Sequence, residues 1–135
     1  METATIKYLG NLRTEAIHVQ SGSKIITDAP TDNHGKGEAF SPTDLLSTSL
    51  GSCILTTMAL VAERHQLDVA GSTAEITKVM EANPRRVGEI IVKIHFAKTY
   101  SEKDKELLER SALTCPVAKS LHPDLKQTIS FSYAK

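Results

Sequence analysis

The sequence predicts an α+β fold with the element order βββ-α-ββ-αα-β. Three observations carry this reading. Short runs of strand-type residues occupy both flanks of the chain, and a long apolar helical run, Ser41 to His65, occupies its middle. Capping patterns at Ser41-Pro42-Thr43-Asp44 and Ser101-Glu102-Lys103-Asp104 mark two helix starts.

The elements follow in order. Ala4 to Tyr8, Arg13 to Val19 and Lys24 to Thr27 are β-type runs separated by Gly10-Asn11 and Ser21-Gly22-Ser23, which predicts a three-stranded meander. Asp28 to Phe40, rich in Gly, Asp, Asn and Pro, reads as a surface loop. In the central helix Ser41 caps, Pro42 fits the first helical position, and Asp44 returns the cap while meeting the positive helix end. Leu46, Leu50, Cys53, Thr57, Leu60 and Val61 fall on one stripe of that helix. Gly51, Leu55, Met58 and Ala62 form another, with Gly51 allowing a neighbour to approach closely.

A hairpin comes next, turning at Asn83-Pro84-Arg85-Arg86. Its return strand places Ile90, Val92, Ile94 and Phe96 on one face and Glu89, Ile91, Lys93 and His95 on the other. A helix opening at Ser101 turns Leu107, Leu108 and Ala112 inward, and a short one from Cys115-Pro116 ends near Leu121. Ile129, Phe131 and Tyr133 alternate in a last strand.

Composition bounds the function. The chain of 135 residues is read as one domain, 1–135. Lys+Arg and Asp+Glu number 16 each, so there is no electrostatic footprint for nucleic acid or an anionic membrane. The start, Met-Glu-Thr-Ala-Thr, has no export signal, so a cytoplasmic location is expected, with its thiols reduced at rest. Leu45 to Ala62 is uncharged and about long enough for a membrane span. Its six hydroxyl residues argue instead for a buried helix in a soluble protein. A chain this short has little material to surround such a helix, which points to a second copy supplying the other wall.

Two cysteines remain. The plain reading makes Cys53 and Cys115 small buried hydrophobes. Burial alone would raise the pKa of Cys53, whereas the position of Cys115 at a helix N-terminus would lower its own.

The run Phe40-Ser41-Pro42-Thr43-Asp44-Leu45-Leu46, then Gly51-Ser52-Cys53, then Cys115-Pro116-Val117-Ala118, resembles the signature of the OsmC/Ohr family over nearly the whole chain. The resemblance implies an intertwined homodimer with active sites at the subunit interface. It implies a thiol-dependent, peroxiredoxin-like hydroperoxide reductase in oxidative-stress defence, with Cys53 peroxidatic and Cys115 resolving. Cys53 would pass through a sulfenic acid to a Cys53–Cys115 disulfide, reduced by an external dithiol. Arg13 is the candidate for the family's positioning arginine, a cation that would ionise Cys53 and polarise the peroxide. In the hydroperoxidase branch a glutamate follows the helix-start proline. Here Thr43 stands there, with Asp44 beside it.

Asp44 and Cys53 are nine positions apart, about 13 Å along one helix, so Asp44 either caps or serves a site assembled with a partner chain. The pocket is expected to be apolar, favouring organic hydroperoxides over hydrogen peroxide. No cofactor is implied. His18, His34, His65, His95 and His122 lack ligand spacing with the cysteines, so no metal site is expected. His34-Gly35-Lys36-Gly37 lacks the phosphate-loop pattern. Two other classes stay open: a non-catalytic dimeric protein binding a small apolar or thiol-reactive ligand, and a purely structural dimer.

Overall fold

The computed structural model describes residues 1–135. The element order is the one the sequence predicts. It comprises β1 (Ala4–Gly10), β2 (Arg13–His18), β3 (Lys24–Asp28), α1 (Pro42–Arg64), β4 (Thr73–Glu81), β5 (Arg86–Phe96), α2 (Glu102–Ala112), α3 (Pro116–Ser120) and β6 (Lys126–Tyr133). The strands form two separate three-stranded sheets, and the chain divides into two compact units, Met1–Leu46 and Ser47–Lys135. The boundary falls within the first turns of α1.

The first unit is an antiparallel meander, β1-β2-β3. Its register places Arg13 opposite Asp28. The pair is bidentate: Arg13 Nε donates to Asp28 Oδ1 at 2.7 Å and Nη2 to Oδ2 at 2.8 Å. Asp28 is only 1% exposed, and the Glu38 N–H adds a third donor to its Oδ2 at 3.2 Å. A carboxylate this deep requires such partners. The following loop, which contains a 3-10 turn at Thr31–Asn33, folds back on the end of β3. Gly35 is needed there, because a Cβ would lie 1.7 Å from the Ala29 carbonyl oxygen. The loop leads into the capping box foreseen at α1. Asp44 N–H donates to Ser41 Oγ and Ser41 N–H to Asp44 Oδ2, both at 3.0 Å.

In the second unit β4 and β5 are an antiparallel hairpin, and β6 pairs in parallel with β5. The parallel pairing has a topological cause: α2 and α3 form the crossover that a parallel connection needs. Ile90, Val92, Ile94 and Phe96 are buried on one face of β5, as the alternation predicts. Ser47, Leu50, Gly51, Ile54, Met58 and Ala62 are buried on α1. They draw on both stripes read from the sequence, with Ser47 and Ile54 added. Leu60, on the first stripe, is 54% exposed in the single chain, and Ile54, on neither stripe, is at the core. An all-round apolar helix carries almost no periodic signal, so its buried face is set by the sheet it meets. By length and composition α1 would also suffice to cross a membrane. Here its buried residues belong to the same core as β5 and α2.

Contact between α1 and β4 is close at Gly51, where a Cβ would lie 2.5 Å from Ile76 Cδ1. Gly51→Leu therefore lowers stability by about 1–3 kcal/mol, read from the urea midpoint, through overpacking; an unchanged midpoint contradicts this packing.

Arg13 hydrogen-bonding holds the Asp28 carboxyl below its ordinary 3.8 despite the opposing effect of burial. A depressed folded pKa contributes stability that is full above the unfolded value and lost as pH falls through the folded one. The Tm difference between wild type and Asp28→Asn is expected to be large at pH 7 and to shrink below pH 3.8; a pH-independent difference contradicts the ion pair as its source.

Candidate active site

Cys53 lies on α1 between the buried residues Leu50 and Ile54 and is itself half-buried, whereas Cys115 is completely buried. α2 ends at Ala112, and the chain turns through Leu113 and Thr114 so that Cys115 becomes the N-cap of α3. The cap is a sulfur: Cys115 Sγ accepts from the Ala118 N–H at 3.3 Å. Pro116 begins the helix, as the Cys-Pro pair predicts. Gln127 of β6 donates to the Ala118 carbonyl at 3.1 Å, tying α3 to the sheet.

This placement lets the two cysteines, both in their free form, influence each other's ionisation. Burial pushes the Cys53 pKa up, but three donors outweigh it and leave the net shift downward from 9.0. They are the Val117 N–H, the Cys115 thiol and the Thr57 hydroxyl. Thr57 Oγ1, one helical turn along α1, lies 3.9 Å from Cys53 Sγ. Cys115 moves the opposite way. Burial raises it, the Ala118 N–H opposes this, and its role as donor to Cys53 raises it further.

The helix-end position does act on Cys115 as expected, since the Ala118 and Val117 N–H groups lower its pKa, but burial outweighs them. α3 has only five residues and so a small dipole, and its Val117 N–H donates to the sulfur of Cys53 as well as that of Cys115. The arrangement pairs an acceptor sulfur with a donor sulfur.

The other candidate residues lie in the first unit. Arg13 is engaged by Asp28, which sequence reading did not name. The register that sets position 13 against position 28 comes from the strand pairing itself; the turn read at Ser21-Gly22-Ser23 does not give it. Thr43 Oγ1 lies 3.2 Å from Ser41 Oγ, and Asp44 closes the capping box. A groove of about 530 Å³ opens along the other side of α1, lined by residues that include Leu55, Ala59, Leu67 and Val69, and neither cysteine lines it. The apolar pocket expected at the thiols is not this groove. No three His, Cys, Asp or Glu residues cluster in a metal-holding arrangement.

Residues 35–130 match the family of OsmC-like proteins. Among solved structures, a Psychrobacter arcticus 273-4 protein, provisionally named an osmotic stress induced and detoxification response protein, is 55% identical. It superimposes with a TM-score of 0.94 over 97% of this chain and 96% of its own. An OsmC-like protein from Mycoplasma pneumoniae has a TM-score of 0.81 at 21% identity, covering 98% of this chain and 96% of its own. The organic hydroperoxide resistance protein OsmC of Legionella pneumophila has a TM-score of 0.75 at 16% identity, covering 98% of each chain. These last two share the fold. No curated protein matches the chain. The matched segment contains the α1 start, both cysteines and the crossover that joins them, and the chain belongs to the OsmC/Ohr family.

Proposed function

We propose that the protein is a thiol-dependent peroxidase that reduces organic hydroperoxides. What supports the reading is a pair of free cysteines, Cys53 on α1 and Cys115 at the start of α3, that act on each other so that the Cys53 pKa is lowered and that of Cys115 raised. A peroxidase of this kind needs a nucleophilic sulfur and a second sulfur within reach to trap its oxidised form.

Chemically, the Cys53 thiolate attacks the terminal peroxide oxygen. The O–O bond breaks, and the alkoxide leaves and takes a proton to become the alcohol. Cys53 is now a sulfenic acid. The Cys115 sulfur attacks it, the hydroxyl departs as water with the Cys115 proton, and the disulfide forms. An external dithiol restores both thiols. In this proposal Arg13 polarises the peroxide, and Asp28 is the carboxylate that fixes its guanidinium. The missing glutamate at Thr43 is therefore not the only way to anchor an arginine.

The proposed enzyme is one domain, residues 1–135, acting as a cytoplasmic homodimer. Ile6, Tyr8 and Ile25 share one face of the first sheet by register and are well exposed, and Leu46 and Leu60 are exposed on α1. Apolar surface of this kind supports a second copy as its cover.

The test is turnover of cumene hydroperoxide with dithiothreitol as reductant. Wild type is expected to turn over, Cys53→Ser to lose activity at least about 100-fold, and Arg13→Ala to lose about 10- to 100-fold. Cys115→Ser is expected to consume peroxide without sustained turnover and to accumulate sulfinate or sulfonate on Cys53. Activity that survives Cys53→Ser, or its absence from wild type, contradicts the proposal.

A further inference from the structure

We propose that Thr57 is a positioning residue for the reaction at Cys53: its hydroxyl, one helical turn along α1, donates to the sulfur and keeps it in the reactive, charged form. This rests on the peroxidase reading and adds which side chain of α1 prepares the nucleophile.

Residues four apart on an α-helix stand on one face, one above the other. Thr57 is therefore placed beside Cys53 by the helix itself, and its Oγ1 lies 3.9 Å from Cys53 Sγ. A hydrogen bond of this kind shortens and strengthens when the acceptor carries charge. The ordinary use of a helical threonine hydroxyl is visible in the preceding residue. Thr56 Oγ1 donates to the Ser52 carbonyl at 2.9 Å, four residues back. The Thr57 hydroxyl, in the same helix, meets a side-chain sulfur instead.

The surroundings make that hydroxyl count. Leu50 and Ile54, beside Cys53 on α1, are completely buried, and burial is the largest influence on the sulfur, opposing its ionisation. In an apolar setting a polar contact weighs more than it does in water. The other two groups that favour the charged sulfur, Val117 and Cys115, come from the start of α3 and depend on how that segment seats against α1. Cys115 is also consumed each time the disulfide forms, and donates again only after reduction. The Thr57 hydroxyl makes and breaks no covalent bond and rides on the same helix as the nucleophile, so it is in place at the start of every cycle.

The experiment separates the hydroxyl from the rest of the side chain. Thr57→Val keeps the shape and removes the hydroxyl, Thr57→Ser keeps the hydroxyl and removes the methyl, and Thr56→Val is the neighbouring control. Each protein is alkylated with iodoacetamide over a range of pH, and Cys53 is followed by peptide mass spectrometry. Thr57→Val is expected to raise the pH of half-maximal alkylation at Cys53 by about half a pH unit or more, and Thr57→Ser and Thr56→Val by less than half of that rise. First-turnover consumption of cumene hydroperoxide by Thr57→Val is expected to be about twofold slower near neutral pH. The deficit is expected to vanish above the raised midpoint, because a less acidic thiol gives the stronger nucleophile once ionised. Thr57→Ala repeats the measurement with a second side chain lacking the hydroxyl, should the valine variant not fold. No rise on loss of the hydroxyl, or a rise matched by Thr57→Ser or by Thr56→Val, overturns the inference. Wild type that consumes no peroxide is a separate result, which contradicts the peroxidase reading, while the alkylation midpoints still decide the part of Thr57.

Discussion

The pull that Thr57 and the start of α3 exert on the Cys53 pKa outweighs the opposing effect of burial, and the functional reading depends on that balance. The sulfur sits on an apolar helix whose environment disfavours charge, so ionisation must be supported by donors positioned before the reaction. The Val117 N–H, the Cys115 thiol and the Thr57 hydroxyl provide that support. Two of the three come from the start of α3. The local structure that brings α3 to α1 is therefore part of the chemistry. The chain leaves α2 at Leu113, Cys115 takes the N-cap position, Pro116 begins the helix, and Gln127 of β6 fixes its carbonyl end.

The same geometry explains why the two thiols differ. Cys115 is the donor in their shared hydrogen bond and is buried more completely, and both facts favour its protonated form. A sulfur that caps a helix is expected to be acidic when it faces solvent or a cation. Here it is buried, and burial outweighs the Ala118 and Val117 N–H groups. The helix-end rule therefore describes the Val117 N–H and Ala118 N–H correctly but misplaces the thiolate, because the former also donates across to Cys53.

Much of the fold was legible in the sequence, and for physical reasons. The capping box at Ser41 and Asp44, the alternation along β5, and the Cys115-Pro116 helix start are local patterns whose energetics are settled within a few residues. What was not legible depends on distant partners. The buried face of α1 could not be read, because a helix apolar on all sides carries no directional signal, and Ile54 at the core lay on neither stripe. The division into two sheets and the parallel entry of β6 are likewise decided by how the elements meet. Both cysteines stood out in the chain by their settings, and Arg13 was named only through the family resemblance. Asp28 was missed, since attention fell on the acids near the helix start rather than on the residue that the meander register places opposite Arg13. Thr57 was read only as part of an apolar stripe.

The most direct test of the uneven division of charge between the two sulfurs is the pH dependence of iodoacetamide alkylation, followed separately at each cysteine by mass spectrometry. The account predicts that Cys53 reaches half its maximal rate below pH 9.0 and Cys115 above it. It also predicts that Cys115→Ala moves the Cys53 profile upward. Cys115 alkylating at the lower pH, or a Cys53 profile indifferent to the loss of Cys115, would contradict it.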